Sequence, residues 1–457
     1  KSAVELADFA KTDVLAPDAS EEVTLSLTAR DMASYDCYGK SGHVGYVLEA
    51  GDYELSLRSD SHTVLDERTL TLAADVTYDD ATNLFTGDDA SDGYGIDDAD
   101  NVEYMTRADF EGTFPAAPED RAISEEIADF NLYAAEDAEA WIDESDEPIV
   151  TGADNGMTVF ENGTVNDLGL ALGRDYDDSR WDALLDQLTV DDMLKLVEFG
   201  YGTEEITSIN APSTYAADSP QCLQYAYWSG VGGADSELLN AYPCLTVIAC
   251  TWNMPLAHEM GDAIGEEAVQ WGVAGWYAPG LNLHRSPFGG RNFEYFSEDP
   301  VISGEMCAAV MSGASDKGLL GYVKHFALND QESFRQGYLY AINNGVCTWA
   351  DEQTIRELYL KPFETVVKES KMTVNYIKDT NGNWGQRTMS ACVTVMSSFN
   401  RIGSVWAGGS YGLLTQILRN EWGFRGQVMT DFRNTQKAGG NYYYMDLAAG
   451  FGVTVAD

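Results

Sequence analysis

Positive charge is scarce in this sequence: 27 Lys plus Arg stand against 75 Asp plus Glu in 457 residues, a formal net charge of −48 at pH 7. A surface of that sign repels phosphate backbones, which excludes nucleic acid as a partner, and self-repulsion keeps the chain dispersed. Long apolar runs are also missing. No stretch approaches the ~20 residues that a spanning helix needs, and the opening KSAVELADFAKT lacks the basic-then-apolar order of a signal peptide. The expectation is a soluble chain without a membrane span, cytoplasmic before secreted, whose true start lies upstream. The seven cysteines are scattered and never spaced as CxxC, so neither a disulfide scaffold nor a zinc ribbon is expected. They read as buried, reduced thiols.

What is present is enough apolar material, 44% of residues, to fill two or three cores. Residues 1–78 alternate in period two through EEVTLSLTARDM, HVGYVLEAGDYELSLRSD and ERTLTLAADVTY, a β-sandwich pattern that is short of its first strands. Residues 79–175 turn acidic and irregular and read as a surface connector with one helix near EEIADFNLYAAEDAEAWIDE. Its Asp cluster fails as a calcium loop, because aligning Gly93 with the loop glycine puts Ala90 and Ala99 on ligand positions. From 176 to 457 strands and helices alternate. WDALLDQLTVDDMLKLVEFG has helical spacing, with Thr189 and Asp192 as a capping box, and a second helix is expected from about Thr348. The buried runs CLTVIACTW, GWYAPGLNL, GYVKHFAL, CVTVMSSFN, GQVMTDF and GFGVTVAD read as parallel strands covered on both faces. The fold class is therefore α/β: a (β/α)8 TIM-like barrel, C-terminally incomplete, preceded by the partial sandwich.

Barrel enzymes gather their chemistry at the carboxyl ends of several strands. Polar residues stand at those places here: Asp218 after STYAA, His284, Arg285 and Arg291 after YAPGLNL, Lys324 and His325 after GYV, Asn400 after VMSSF, and Asp431 after GQVMT. The few cations are thus aimed at one pocket.

The ordered motifs GRNFEYFSEDP, KHFALNDQE, MSSFNRIG and LRNEWGFRGQVMTDF resemble glycoside hydrolase family 3, in its β-glucosidase-like branch of permuted domain order. There an α/β sandwich and a fibronectin III-like domain precede the barrel. The resemblance implies an exo-acting retaining β-glycosidase without cofactor or metal, most simply a β-glucosidase. It makes Asp431 the nucleophile, Asp218 the carboxylate that accepts from sugar hydroxyls, and Arg291, Lys324 and His325 the donors to the bound sugar. His284, Arg285, Met396 and Phe432 are further candidates for that pocket. Ser219 and Phe432 depart from the family's usual glycine and larger aromatic, which implies an altered fit. The insertion KMTVNYIKDTNGNWGQRTMS falls on the face away from catalysis and is assigned to packing or assembly, with a homo-oligomer open.

Retaining hydrolysis also needs a carboxylic acid for the leaving oxygen. In the resembled branch it lies in the α/β sandwich, which would precede residue 1, so the chain reads as part of a longer enzyme or one of two companion chains. Glu266, Glu267, Glu294 and Glu332 are the local substitutes. The alternative function is a carbohydrate-binding or assembly subunit that cannot turn over alone. A metal hydrolase using His284, His325 and Asp431 lacks the paired histidines such sites need.

Overall fold

The computed structural model describes residues 4–81, 151–198, 201–223, 240–332, 346–348, 350–403 and 405–431. The connector helix, the run GFGVTVAD and Phe432 lie outside these residues. At the front, β1 (Ser34–Asp36), β2 (Gly45–Leu48) and β5 (Val76–Tyr78) form an antiparallel sheet in the order β1-β2-β5, and β3 (Gly51–Arg58) pairs with β4 (Val64–Leu72). Period-two alternation fixes their inward face: Tyr35 and Tyr46 sit opposite each other in register, edge to face at 5.1 Å, with Leu48 and Ala81 beneath. The alternating run EEVTLSLTARDM is not a strand up to Ala33. Period two alone does not make a strand without a neighbour to hydrogen-bond, and no described strand offers one there.

The main sheet of the second part has five parallel strands, adjacent in chain order, β6 (Thr214–Asp218), β7 (Gly275–Tyr277), β8 (Leu320–Phe326), β9 (Thr394–Ser397) and β10 (Gln427–Met429), with the short Gly202–Thr203 antiparallel on the β6 edge. They make a half-barrel sheet, where the sequence predicts eight strands in a closed ring. Inside its curve, Ala216, Tyr277 and Met396 are buried with Tyr201, Tyr322 and Met429 against them, and Tyr201 N donates to the Tyr277 hydroxyl at 2.7 Å. Met396 therefore lies in the sheet's own packing.

Helices α1 (Met254–Trp271) and α2 (Pro300–Asp316) cover the outer face. Each start is written locally: Asn253 caps the Leu256 N–H, and Asp299 accepts from Val301 and Ile302 at 2.9 Å ahead of Pro300. Helix α1 stops at Gly272, left-handed at φ 69°. The two helices cross backbone to backbone, since a Cβ on Gly261 would strike the Val310 carbonyl and one on Gly313 the His258 carbonyl.

Three other expectations are revised. CLTVIACTW holds a helix, Leu245–Ala249, because Leu245, Ile248 and Ala249 are the buried positions, a helical spacing that a short apolar run conceals. The helix expected from Thr348 starts at Glu352, with Asp351 as its cap, accepting from Thr354 N at 2.7 Å. The end of the connector carries a hairpin, Phe160–Glu161 with Thr164–Val165, and a helix, Asp167–Leu172. The Thr189–Asp192 capping box is present as read: Asp192 N donates to Thr189 Oγ1 at 3.1 Å, and Thr189 N to Asp192 Oδ2 at 3.2 Å.

Sandwich and half-barrel meet at Arg356, on the π-helical turn Ile355–Leu360. Its buried guanidinium is held bidentately by Glu421 at 2.9 Å, bonds Glu352 through Nε at 3.1 Å, and lies 4.3 Å from the centre of the Tyr35 ring. Truncating one member of a buried ion pair strands the others, a cost of about 3–5 kcal/mol. Arg356→Ala is expected to lower the unfolding free energy by about that amount and to make residues 34–78 accessible to limited proteolysis. An unchanged denaturation midpoint would show that the network is not an anchor.

Candidate active site

Strand β7 does not end where its regular pairing ends. Its exit segment runs on beside β8: Lys324 N donates to Pro279 O at 3.1 Å and Leu281 N to Lys324 O at 2.6 Å. Beyond that point side chains replace the peptide ladder. Asn282 accepts from His325 N at 2.9 Å and donates to His325 O at 3.0 Å, and Asp330 accepts from Leu283 N at 2.8 Å. This zipper positions the next loop, which brings Arg291 back over the end of β8.

Arg291 is the hub. Its Nη2 donates to the His325 ring, 2.9 Å from Nδ1 and 3.0 Å from Nε2, and to the Tyr295 hydroxyl at 3.0 Å. Its Nε reaches Glu332 at 3.0 Å and Glu294 at 3.1 Å. Burial works to lower the guanidinium's pKa, but Tyr295, Glu294, Glu332 and Asp431 outweigh it, so the net shift is upward and the charge is permanent. The same surroundings act on Tyr295, where burial, ahead of all else, holds the phenol protonated. His325 Nε2 also stands 3.6 Å from Asp431 Oδ2, with Asp431 only 9% exposed at the end of β10. Lys324 Nζ completes the group, 3.1 Å from Asp218 Oδ1 at the end of β6 and 3.7 Å from Glu294 Oε2. The Lys324 side chain is 7% exposed, whereas that of Asp218 is 45% exposed and open to a ligand.

The structure thus brings Asp218, Arg291, Lys324, His325 and Asp431 together from four strand ends. It does not bring in His284, whose ring bonds the Tyr295 carbonyl at 3.1 Å, nor Arg285, exposed and 5.4 Å from the Tyr359 ring centre. Among the residues considered as acids, Glu266 pairs with Lys317, and Glu267 accepts from Asn240 at 2.9 Å, both away from the cluster. Glu294 and Glu332 are counter-ions of Arg291. Tyr295, Asn282 and Asp330 were not singled out by sequence reasoning. The signal was there, in polar residues interrupting the apolar exits LNLH and HFALND. Among the described residues, no three His, Cys, Asp or Glu side chains come close enough to hold a metal ion.

Asp330 is half-buried, with its Oδ2 atom enclosed. Burial pushes its carboxyl from the ordinary 3.8 up to about 7, with Glu332 adding to the rise and the Leu283 N–H and Arg285 opposing it. The fold favours the protonated form, so this stabilising contribution is fully present below 3.8 and is lost as pH climbs through about 7. Asp330→Asn keeps the acceptor for Leu283 and removes the titration. Its melting temperature relative to the parent is expected to rise between about pH 5 and about pH 8. A difference that stays flat with pH would contradict the shift.

The Glycosyl hydrolase family 3 N terminal domain matches residues 206–449, and a Fibronectin type III-like domain matches residues 1–61. The β-glucosidase A of Butyrivibrio fibrisolvens is 30% identical over 446 residues, 94% of this chain and 47% of the relative. A β-glucosidase of Ruminococcus albus is 30% identical over 451 residues, 94% of this chain and 40% of the relative. The crystal structure of a β-glucosidase from Paenibacillus barengoltzii superposes with a TM-score of 0.65 at 27% identity, covering 97% of this chain and 44% of that one. The chain spans about half the length of these relatives or less.

Proposed function

The chain belongs to glycosyl hydrolase family 3, and from that premise we propose that it is the sugar-binding and nucleophile-bearing part of a retaining, exo-acting β-glycosidase, most simply a β-glucosidase. The observation that carries this reading is the position of Asp431: a nearly buried carboxylate at a strand end, 3.6 Å from a histidine that is itself bound to the half-buried Arg291 guanidinium. A carboxylate at a strand end, beside groups that can orient a sugar, suits covalent displacement at an anomeric carbon.

In the proposed reaction a neutral nonreducing-end sugar lies over Asp431. Asp218 accepts from its hydroxyls, and Lys324, His325 and Arg291 donate to them. Asp431 attacks the anomeric carbon, the bond to the aglycone oxygen breaks, and a glycosyl ester forms, which water then hydrolyses. Protonation of the leaving oxygen requires a carboxylic acid. Glu294 and Glu332 are both ion-paired with Arg291, and Glu294 also faces Lys324, so each is engaged within the cluster. We assign the acid to an α/β domain or companion chain, and barrel closure to residues beyond those described. A carbohydrate-binding or assembly subunit inactive by itself is the second reading, favoured by the pairing of both Glu294 and Glu332 with Arg291.

In the complete enzyme, Asp431→Asn is expected to reduce kcat on a chromogenic β-glucoside roughly a thousand-fold or more while the melting temperature holds; near-normal turnover would remove the nucleophile assignment. Lys324→Ala deletes a charge-assisted contact to the sugar worth about 1.5–3 kcal/mol, or roughly 10- to 150-fold in kcat/KM. Loss of stability with kcat/KM intact would instead make Lys324 a structural ion-pair partner of Asp218.

A further inference from the structure

The insertion KMTVNYIKDTNGNWGQRTMS folds as an antiparallel hairpin, Met372–Ile377 with Trp384–Met389, paired from Met372↔Met389 to Ile377↔Trp384. It precedes β9, so it stands at the opposite rim of the sheet from Asp431. One face is anchored: Met372 is buried, and Val374 and Met389 pack on the main core. The tip is not. Trp384 is 65% exposed and Tyr376 39%.

The tip abuts a second exposed segment, because Arg174 Nη2 donates to Lys378 O at 2.6 Å, and Tyr176, two residues on, is 60% exposed. Arg174 and Lys378 meet at this junction, Arg387 stands further along the hairpin opposite Val374, and Lys371 at its base. In a chain of 75 acids and 27 bases, a cation ordinarily finds a carboxylate, as Lys368 next door finds Glu364. Among the described residues none of these four forms an ion pair: Lys371 Nζ donates to the Lys368 carbonyl at 3.1 Å, and Arg387 Nη2 meets Met389 Sδ at 3.9 Å. The hairpin's one carboxylate, Asp379, accepts from Asn381 N, Asn383 N and Asn383 Nδ2, bracing its own turn. Lys378 adds only a lesser share, after those bonds, to the lowering of its pKa.

We propose that the hairpin tip and the Arg174–Tyr176 segment form an isologous docking surface for a second copy of this chain. Tyr, Trp and Arg together are the composition of interface centres, and cations without carboxylates call for an acidic partner surface. The chain carries that surface itself. Exposed Asp175 and Asp177 flank Tyr176 in the patch, so a two-fold axis can place the cations of each copy on the acids of the other. Association at this rim leaves the Asp431 side open, and the inference stands apart from the proposed reaction.

Light scattering on the size-separated native protein at micromolar concentration is expected to give twice the mass of one polypeptide. Trp384→Ala, and separately the pair Lys378→Glu with Arg387→Glu, are expected to halve that mass with the melting temperature and glycosidase activity unchanged. A single-polypeptide mass for the parent at every concentration, or a mass that neither variant changes, overturns the proposal. So does retention of the parent but not of Trp384→Ala on insoluble cellulose with single-polypeptide mass throughout, which would make the patch a glycan surface.

Discussion

A guanidinium that is mostly withdrawn from water has to be surrounded by something that answers its charge, and Arg291 recruits that company from every side. Two glutamates bind its Nε, a phenol and an imidazole meet its Nη2, and Asp431 stands 3.6 Å from that imidazole. Desolvating such a group without these partners would cost several kcal/mol. The need to satisfy one cation therefore sets the positions of the loop after β7, the His325 ring and the exit of β8. The same arrangement leaves Asp218 as the exposed member of the cluster, the place where a polyhydroxyl ligand can substitute for water.

Much of this was legible in the sequence. Short apolar runs ending in a charged residue gave β6, β8 and β10 together with Asp218, Lys324 and Asp431, because a parallel strand buried on both faces shows its polarity only at its tip. CLTVIACTW misled for the same reason: over nine residues, apolarity does not distinguish a strand from a helix turned fully inward. His284 and Arg285 shared the loop with Arg291, and sequence order could not say which of three neighbouring cations faces the pocket. That choice is made by the Asn282 and Asp330 bonds, which fix the loop's path through partners more than forty residues away.

The two parts of the chain are coupled through a second satisfied cation. Arg356 draws Glu352 and Glu421 from the half-barrel and the Tyr35 ring from the sandwich, so the sandwich covers a charge that the barrel helices cannot cover alone. A buried pair of this kind contributes little net stability against an apolar replacement, but it penalises every arrangement that breaks it, which favours one docking angle over others.

The glycine contacts between α1 and α2 carry a mechanical consequence. With no side chains cushioning that crossing, the two helices share one rigid slab, and β7 and β8 are the connections that leave it. The tolerance on where the Lys324 ammonium and the Arg291 loop come to rest is thus inherited from two hydrogen atoms on the outer wall, at Gly261 and Gly313. A methyl group added at either would prise that wall apart, and its effect would surface as misaligned donors at the opposite end of the sheet.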